Sequence, residues 1–364
     1  MPKKVVAKFQ IEYIQVMDEN GNVDKKLMPK LTNDQIKYFY ETMVLARKID
    51  DKMLAMQRQG RIATFPAIKG QEASTIGSAF ALQKKDWLVP AFRENPAFIV
   101  RGCPLEKAFL LYGGTETGSV FPQEENDLPV AVPVGTQPLH AVGIAMAMNI
   151  QKEKNAVITY FGDGATSEGD VNEAINFAGA LQAPVVFFNQ NNQWAISLPR
   201  ESQSAAQTLA QKGLAGGLSC IQVDGNDIFA VYKVTKEALD NARKGKGPQY
   251  IESLTYRLGD HTTADDAAKY RDPKEVKLWE KKDPILRLQK FMKAKKLWTV
   301  KYGQDVQKKL DKKVEETVKK FESEPQSNPE DMFKYTYKEL TPELKEQKES
   351  LMNFLQSQKG ETNG

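Results

Sequence analysis

Residues 157–197 constrain this chain more than any other stretch. An apolar run of strand length, 157–161, leads into Gly162-Asp163-Gly164. A polar turn, 165–169, opens a helical pattern carrying Glu173, Ala174, Asn176 and Ala178. After Pro184 a second apolar run, 185–188, ends in Asn189-Gln190-Asn191-Asn192 and continues as Gln193-Trp194-Ala195-Ile196-Ser197. Parallel strands buried on both faces read as near-continuous apolar runs, and both runs do. Strand, helix, strand in this order predicts a βαβ unit within an α/β domain.

Ligands of open α/β sheets bind beyond the carboxyl ends of the strands. Asp163 and Asn192 stand at two such ends, so parallel strands let their side chains converge. A carboxylate and an amide oxygen are hard ligands that suit Mg²⁺, which often completes its shell with phosphate oxygens. The flanking glycines let backbone approach closely. The helix after the turn aims its first amides at the same place, a seat for anionic phosphate. Gly-Asp-Gly alone marks any turn, and a surface loop before an amphipathic helix would explain it. Gly-Asp-Gly ending one strand and Asn-Asn ending the next points more sharply to a metal-bridged diphosphate.

The remaining chain falls into three parts. Residues 1–30 read as an arm with an Asp-Glu-Asn-Gly turn at 18–21. Residues 31–273 alternate apolar runs with helical patterns, giving an α/β domain with a mainly parallel sheet flanked by helices. Helices are expected at 32–56, 139–150, 171–181 and 228–242, and weaker strands at 221–223 and 250–256. Residues 274–364 are rich in Lys, Glu and Gln with spaced apolar positions, predicting amphipathic helices near 275–296, 304–322 and 342–357. These could pack on the α/β domain or on another subunit.

Charge and cysteine content narrow the class. The 51 basic and 47 acidic residues are interspersed, so no basic face for nucleic acid is expected. Two cysteines, Cys103 and Cys220, make no disulfide framework and read as structural. No apolar stretch approaches the ~20 residues that span a bilayer, and no secretory signal opens the chain. A cytoplasmic protein is the expectation. Of the two histidines, His140 lies in an apolar helical pattern and reads as structural, whereas His261 lies in a polar loop, 259–266, of the kind that carries function.

The 162–197 wording resembles the thiamin diphosphate motif, which begins with Gly-Asp-Gly and closes with Asn-Asn. Gly-Asp-Gly-Ala-Thr-Ser-Glu-Gly-Asp, Glu-Ala-Ile-Asn-Phe-Ala-Gly-Ala and Asn-Asn-Gln-Trp-Ala-Ile-Ser look like alpha subunits of the thiamin-diphosphate-dependent 2-oxo acid dehydrogenases. The bacterial pyruvate-acting members match best. Arg58-Gln59-Gly60-Arg61-Ile62, Gly70-Gln71-Glu72-Ala73, Pro90-Ala91-Phe92-Arg93, Gly135-Thr136-Gln137 and Tyr256-Arg257-Leu258-Gly259-Asp260-His261-Thr262 extend the resemblance over residues 35–275.

The resemblance implies residue roles. Asp163, Asn192 and the Trp194 carbonyl would ligate Mg²⁺, although Tyr or Phe is usual at 194. Gly164 and Ala165 would bring amides to the diphosphate of thiamin diphosphate, and Arg93 would pair with it. Read without the family, Arg93 is a surface salt bridge. Phe92 stands where Tyr is usual and lacks the hydroxyl that would contact the diphosphate. Val134 would lie under the aminopyrimidine, although it otherwise reads as core. His261 would lie over the cofactor as the catalytic residue that stabilises charge. Thr262 stands where mitochondrial relatives carry a regulatory serine.

The implied reaction is oxidative decarboxylation of a 2-oxo acid, pyruvate first, with reductive acetylation of a lipoyl group on a dihydrolipoamide acetyltransferase. One diphosphate-type unit makes half a site, so a beta subunit in an α2β2 tetramer is expected to complete it. A branched-chain 2-oxo acid or acetoin dehydrogenase alpha subunit, and a non-catalytic assembly subunit, are the alternatives. A nucleotide-phosphate binder lacks its Gly-x-x-x-x-Gly-Lys-Ser/Thr loop.

Overall fold

The computed structural model describes residues 3–121, 126–324 and 328–361. The ends of the two flanking regions, 1–2 and 362–364, lie outside them. Two compact units divide the chain, Met1–Lys319 and Lys320–Gly364.

The larger unit is built on a six-stranded sheet in the order β1-β7-β8-β4-β3-β2. Its strands are β1 Tyr13–Ile14, β2 Trp87–Val89, β3 Val157–Gly162, β4 Val185–Asn191, β7 Ser219–Asp224 and β8 Gln249–Leu254. Every neighbouring pair is parallel. A separate hairpin pairs β5 Trp194–Ala195 with β6 Leu198–Pro199. The central strands show why the sequence reads as unbroken apolar runs. Val157, Phe161, Val185 and Phe187 join a core with the helices Gln137–Gln151 and Gly169–Leu181. The alternate residue Tyr160 packs its ring on Phe188 and shares a hydrogen bond with Ser78 of the helix Glu72–Ala79 at 2.9 Å. Successive strand residues face opposite ways, so helices on both faces demand apolar character at every position.

Helix Asn33–Arg58 begins on a capping box, in which Thr32 accepts from the Gln35 amide and Gln35 accepts from the Thr32 amide. The first thirty residues are more than an arm. β1 adds a strand to the sheet edge, and Val16 and Met17 are buried. Both of their amides donate to Asp227 Oδ2 at 2.6 Å. The same carboxyl caps helix Ile228–Arg243 through Phe229 and Ala230. The helix expected at 275–296 is two helices, Pro273–Glu280 and Pro284–Ala294. Asp283 caps the second and Pro284 starts it, which ends the first. Arg287, fully buried, pairs with Asp224 at 2.9 Å and ties this helix to the end of β7.

The smaller unit holds helices Asp331–Lys334 and Pro342–Glu361, with Lys348 paired to Glu330 at 2.8 Å. Among the described residues no helix is long and apolar enough to cross a membrane.

Candidate active site

Four adjacent strands, β8, β4, β3 and β2, point their carboxyl ends the same way, and each delivers residues just beyond its tip. β2 leads to Phe92 and Arg93, β3 to Asp163, β4 to Asn192 and Trp194, and β8 to Arg257 and His261. The register places Gly162 beside Gln190, so the segments carrying Asp163 and Asn192 leave the sheet side by side.

Asp163 is buried and its Oδ2 has no hydrogen-bond partner. Burial raises its pKa to about 6, while the Asn192 backbone amide and the charges of Arg257 and Arg93 pull it back. Asn192 is also buried. Its Nδ2 donates to Gln71 Oε1 at 3.0 Å, and its Oδ1 accepts from the Trp194 amide at 3.2 Å. That oxygen keeps a second lone pair. The Trp194 carbonyl accepts from Arg257 Nη1 at 3.3 Å, which also leaves it one lone pair. A buried carboxylate oxygen without a donor is costly unless something supplies positive charge. A divalent cation fits that need. Among the described residues no group of three or more His, Cys, Asp and Glu could hold a metal. The donor set here is one carboxylate with amide and carbonyl oxygens, which suits a hard ion that takes further oxygens from a bound ligand.

Gly164 and Ala165 open a short 3-10 turn, Gly164–Ser167, whose first amides have no partner inside the turn. Gly164 is tightly seated, since a Cβ there would come within 2.9 Å of the Ala195 Cβ. Gly135, at φ +87°, sits so close that a Cβ would meet the Glu168 side chain at 2.8 Å. Val134 therefore stands beside the turn after β3. It is 51% exposed, not the core residue its type suggests.

Arg93 is not the surface salt bridge that sequence alone favours. It is buried, with Nη1 donating to the Ala67 carbonyl at 2.6 Å and Nη2 to the His261 carbonyl at 3.1 Å. Burial and the neighbouring Arg257 charge lower its pKa to about 10, so it stays charged at neutral pH. Phe92 meets the His261 ring edge to face at 6.4 Å, and its carbonyl accepts from the Tyr112 hydroxyl at 3.0 Å. His261 is held at about pKa 4 by burial and by the charges of Arg93 and Arg257, so its ring is neutral at pH 7. His140 lies on an exposed part of helix Gln137–Gln151, away from apolar cover.

Two further groups escape the sequence reading. Arg257, fully buried, touches both the loop after β4 and His261. Gln71, fully buried, orients Asn192. Both belong to motifs quoted above, but a buried arginine or glutamine has no pattern of its own to announce it.

The dehydrogenase E1 component family matches residues 40–330. The pyruvate dehydrogenase E1 component subunit alpha of Staphylococcus aureus (strain Mu50 / ATCC 700699) is 42% identical over 343 residues, covering 93% of this chain and 92% of that protein. The protein of the same name from Acholeplasma laidlawii is 43% identical over 346 residues, 94% of this chain and 100% of that one. The 3-methyl-2-oxobutanoate dehydrogenase subunit alpha of Mycobacterium tuberculosis (strain CDC 1551 / Oshkosh) is 39% identical over 352 residues, 96% of each.

Proposed function

The chain belongs to the dehydrogenase E1 component family, and we infer that it is the alpha subunit of a pyruvate dehydrogenase. It acts in the thiamin-diphosphate-dependent decarboxylation of pyruvate with reductive acetylation of a lipoyl group. The observation that carries this reading is the buried Asp163 oxygen without a donor, set beside Asn192 and two buried arginines at the end of a parallel sheet.

Thiamin diphosphate, when bound, supplies the nucleophilic carbon and the electron sink for decarboxylation. The chain's residues supply position and charge. Asp163, Asn192 and the Trp194 carbonyl would hold Mg²⁺, the amides of Gly164 and Ala165 would face the diphosphate, and Arg93 would neutralise it. Phe92 offers an aromatic wall without a hydroxyl, and Val134 an apolar contact for the aminopyrimidine. Neutral His261 would donate a hydrogen bond to oxygen that gains negative charge. Cofactor binding is assigned to residues 31–273. The arm, 1–30, and the helical region, 274–364, flank it. The cytoplasm is the proposed compartment.

A beta subunit is proposed to complete the site in an α2β2 tetramer, and a lipoyl-bearing dihydrolipoamide acetyltransferase to receive the acetyl group. Helix Gln137–Gln151 supports this. It is apolar on nearly all sides, the composition of a helix buried all round. Yet Gly143, Ala147 and Ile150 are exposed, as are Phe177 and Leu181 on the neighbouring helix. Such a patch marks a protein interface.

The test is reconstitution. With a beta subunit and a lipoyl domain, the chain should release carbon dioxide from pyruvate and acetylate the lipoyl group, and alone it should do neither. The relative from Mycobacterium tuberculosis keeps 3-methyl-2-oxobutanoate as a second candidate substrate. Turnover of both acids, and of acetoin, by one preparation decides between them. Magnesium-dependent thiamin diphosphate binding separates either reading from a non-catalytic assembly subunit.

A further inference from the structure

The turn after β2, residues 90–94, carries Arg93 and leads into the helix Asn95–Val100. Its last residue, Glu94, is buried. Glu94 Oε2 accepts from the Ala91 amide at 2.9 Å and from the Arg93 amide at 3.1 Å. Glu94 Oε1 accepts from Gln190 Nε2. Gln190 lies on β4, beside Gly162 of β3 on one hand and Ser253 of β8 on the other. Its own Oε1 accepts from the Thr75 hydroxyl at 3.1 Å, on the helix Glu72–Ala79. Both ends of the Gln190 amide are committed, so Glu94 is tied to the middle of the sheet.

The carboxylate does not bond to the arginine beside it in sequence. Both of its oxygens are taken by amides. The Arg93 guanidinium donates instead to the carbonyls of Ala67 and His261, which are neutral. Among the described residues no carboxylate is bonded to it. Glu94 thus fixes the backbone on which Arg93 stands and leaves the positive charge without a bonded counter-charge. A site for an anion needs both.

We propose that Glu94 is a positioning residue for the anion site: braced by Gln190, it holds the turn after β2 so that Arg93 faces the tips of β3 and β4. The role deepens the function inferred above and rests on it, since that reading makes thiamin diphosphate the anion. Glu94 acts only through Arg93.

The test combines calorimetry with hydrogen exchange, on the chain assembled with a beta subunit. Exchange is read by mass spectrometry with single-residue fragmentation. In the wild type the Ala91 and Arg93 amides should be protected, and the Phe92 amide between them should not. Glu94→Ala leaves two buried amides without a partner. It should remove that protection and weaken magnesium thiamin diphosphate binding about tenfold, the lower end for a charged hydrogen bond. At saturating cofactor kcat should fall less than about threefold, because binding and not chemistry has been lost. Adding Glu94→Ala to Arg93→Ala should cost no more than about twofold further, since one residue acts through the other. Gln190→Glu alone faces two carboxyl groups and should also lose about tenfold. The exchanged pair, Glu94→Gln with Gln190→Glu, keeps every donor and acceptor in the chain of bonds and should return to within about threefold of wild type.

Wild-type Ala91 and Arg93 amides that exchange as fast as Phe92 overturn the proposal whether or not any variant folds. So do additive losses from Glu94→Ala and Arg93→Ala, or an exchanged pair that binds no tighter than Gln190→Glu. Failure of the wild type to bind thiamin diphosphate would instead refute the function inferred above, and the exchange pattern would still decide whether Glu94 holds the turn.

Discussion

Arg93 reaches His261 twice, through the ring Nδ1 at 3.3 Å and the main-chain carbonyl at 3.1 Å. The residue expected to meet a diphosphate is therefore in contact with the residue expected to meet the substrate. Arg93→Ala should weaken magnesium thiamin diphosphate binding by roughly 10- to 100-fold, the loss of a charged hydrogen bond. It should also release the His261 backbone. Calorimetry reads the first effect and amide exchange at 260–266 the second. An unchanged affinity would remove Arg93 from the cofactor site.

Asp163 predicts a pH dependence. Metal binding needs the carboxylate, and burial raises its pKa to about 6 from 3.8. Magnesium affinity should be level above about pH 7 and fall about tenfold per pH unit below 6. Without metal the sign reverses. The folded pKa lies above the unfolded value, so the protonated form stabilises the fold below about 3.8, and that stability is lost as pH rises through about 6. Asp163→Asn should thus abolish the magnesium requirement for binding, together with most of the affinity. It should leave the metal-free chain as stable as wild type or more so, by ~1–2 kcal/mol at pH 7.5. Chemical denaturation and titration calorimetry test the two halves separately.

The exposed apolar patch predicts an assembly defect without unfolding. Phe177 is 51% exposed and Ile150 79%. Phe177→Glu and Ile150→Lys, alone or together, should leave the circular dichroism and melting of the isolated chain unchanged. Sedimentation with the beta subunit should show the tetramer weakened at least tenfold, because a charge would be buried unpaired at the contact. Unimpaired assembly would assign the patch to some other surface.

Asp227 joins a helix start to the N-terminal segment. It accepts from Phe229 and Ala230, and from Val16 and Met17. Asp227→Ala loses a cap and strands two buried amides, for a cost of about 3 kcal/mol. Denaturant titration should show it, and limited proteolysis should cut residues 3–20 first.

What could be read in the sequence follows from how each element is stabilised. β3 and β4 are covered by helices on both faces, so their composition alone declares them. β1 is two residues long and exists because β7 pairs with it, which no local pattern encodes. Helix Glu72–Ala79 has no apolar pattern to announce it, because Glu72, Ser74, Thr75 and Ser78 look like surface residues yet are fully buried, satisfied by Arg47, Ser253, Gln190 and Tyr160, all distant in sequence. The same reason hides Arg257 and Gln71. Polarity signals exposure in a pattern, and only the fold reveals that the polar group has been paired. Asp163 and Asn192 were legible because they end the strands whose apolar runs are the plainest feature of the chain. Val134 was placed by resemblance, and its exposure is set by a turn at Gly135 whose neighbour, Glu168, lies far along the chain.

The place of β8 has a consequence for how the molecule comes into being. It is the final strand of the sheet to leave the ribosome, yet it lies between β7 and β4. Until it is made, the strands already synthesised are two fragments with an empty slot between them, β7 with β1 on one side and β4 with β3 and β2 on the other. Insertion of β8 joins the fragments and carries Arg257 and His261 in behind it. A nascent chain therefore gains its sheet and its binding competence in one late step, and a truncation before residue 249 should yield neither.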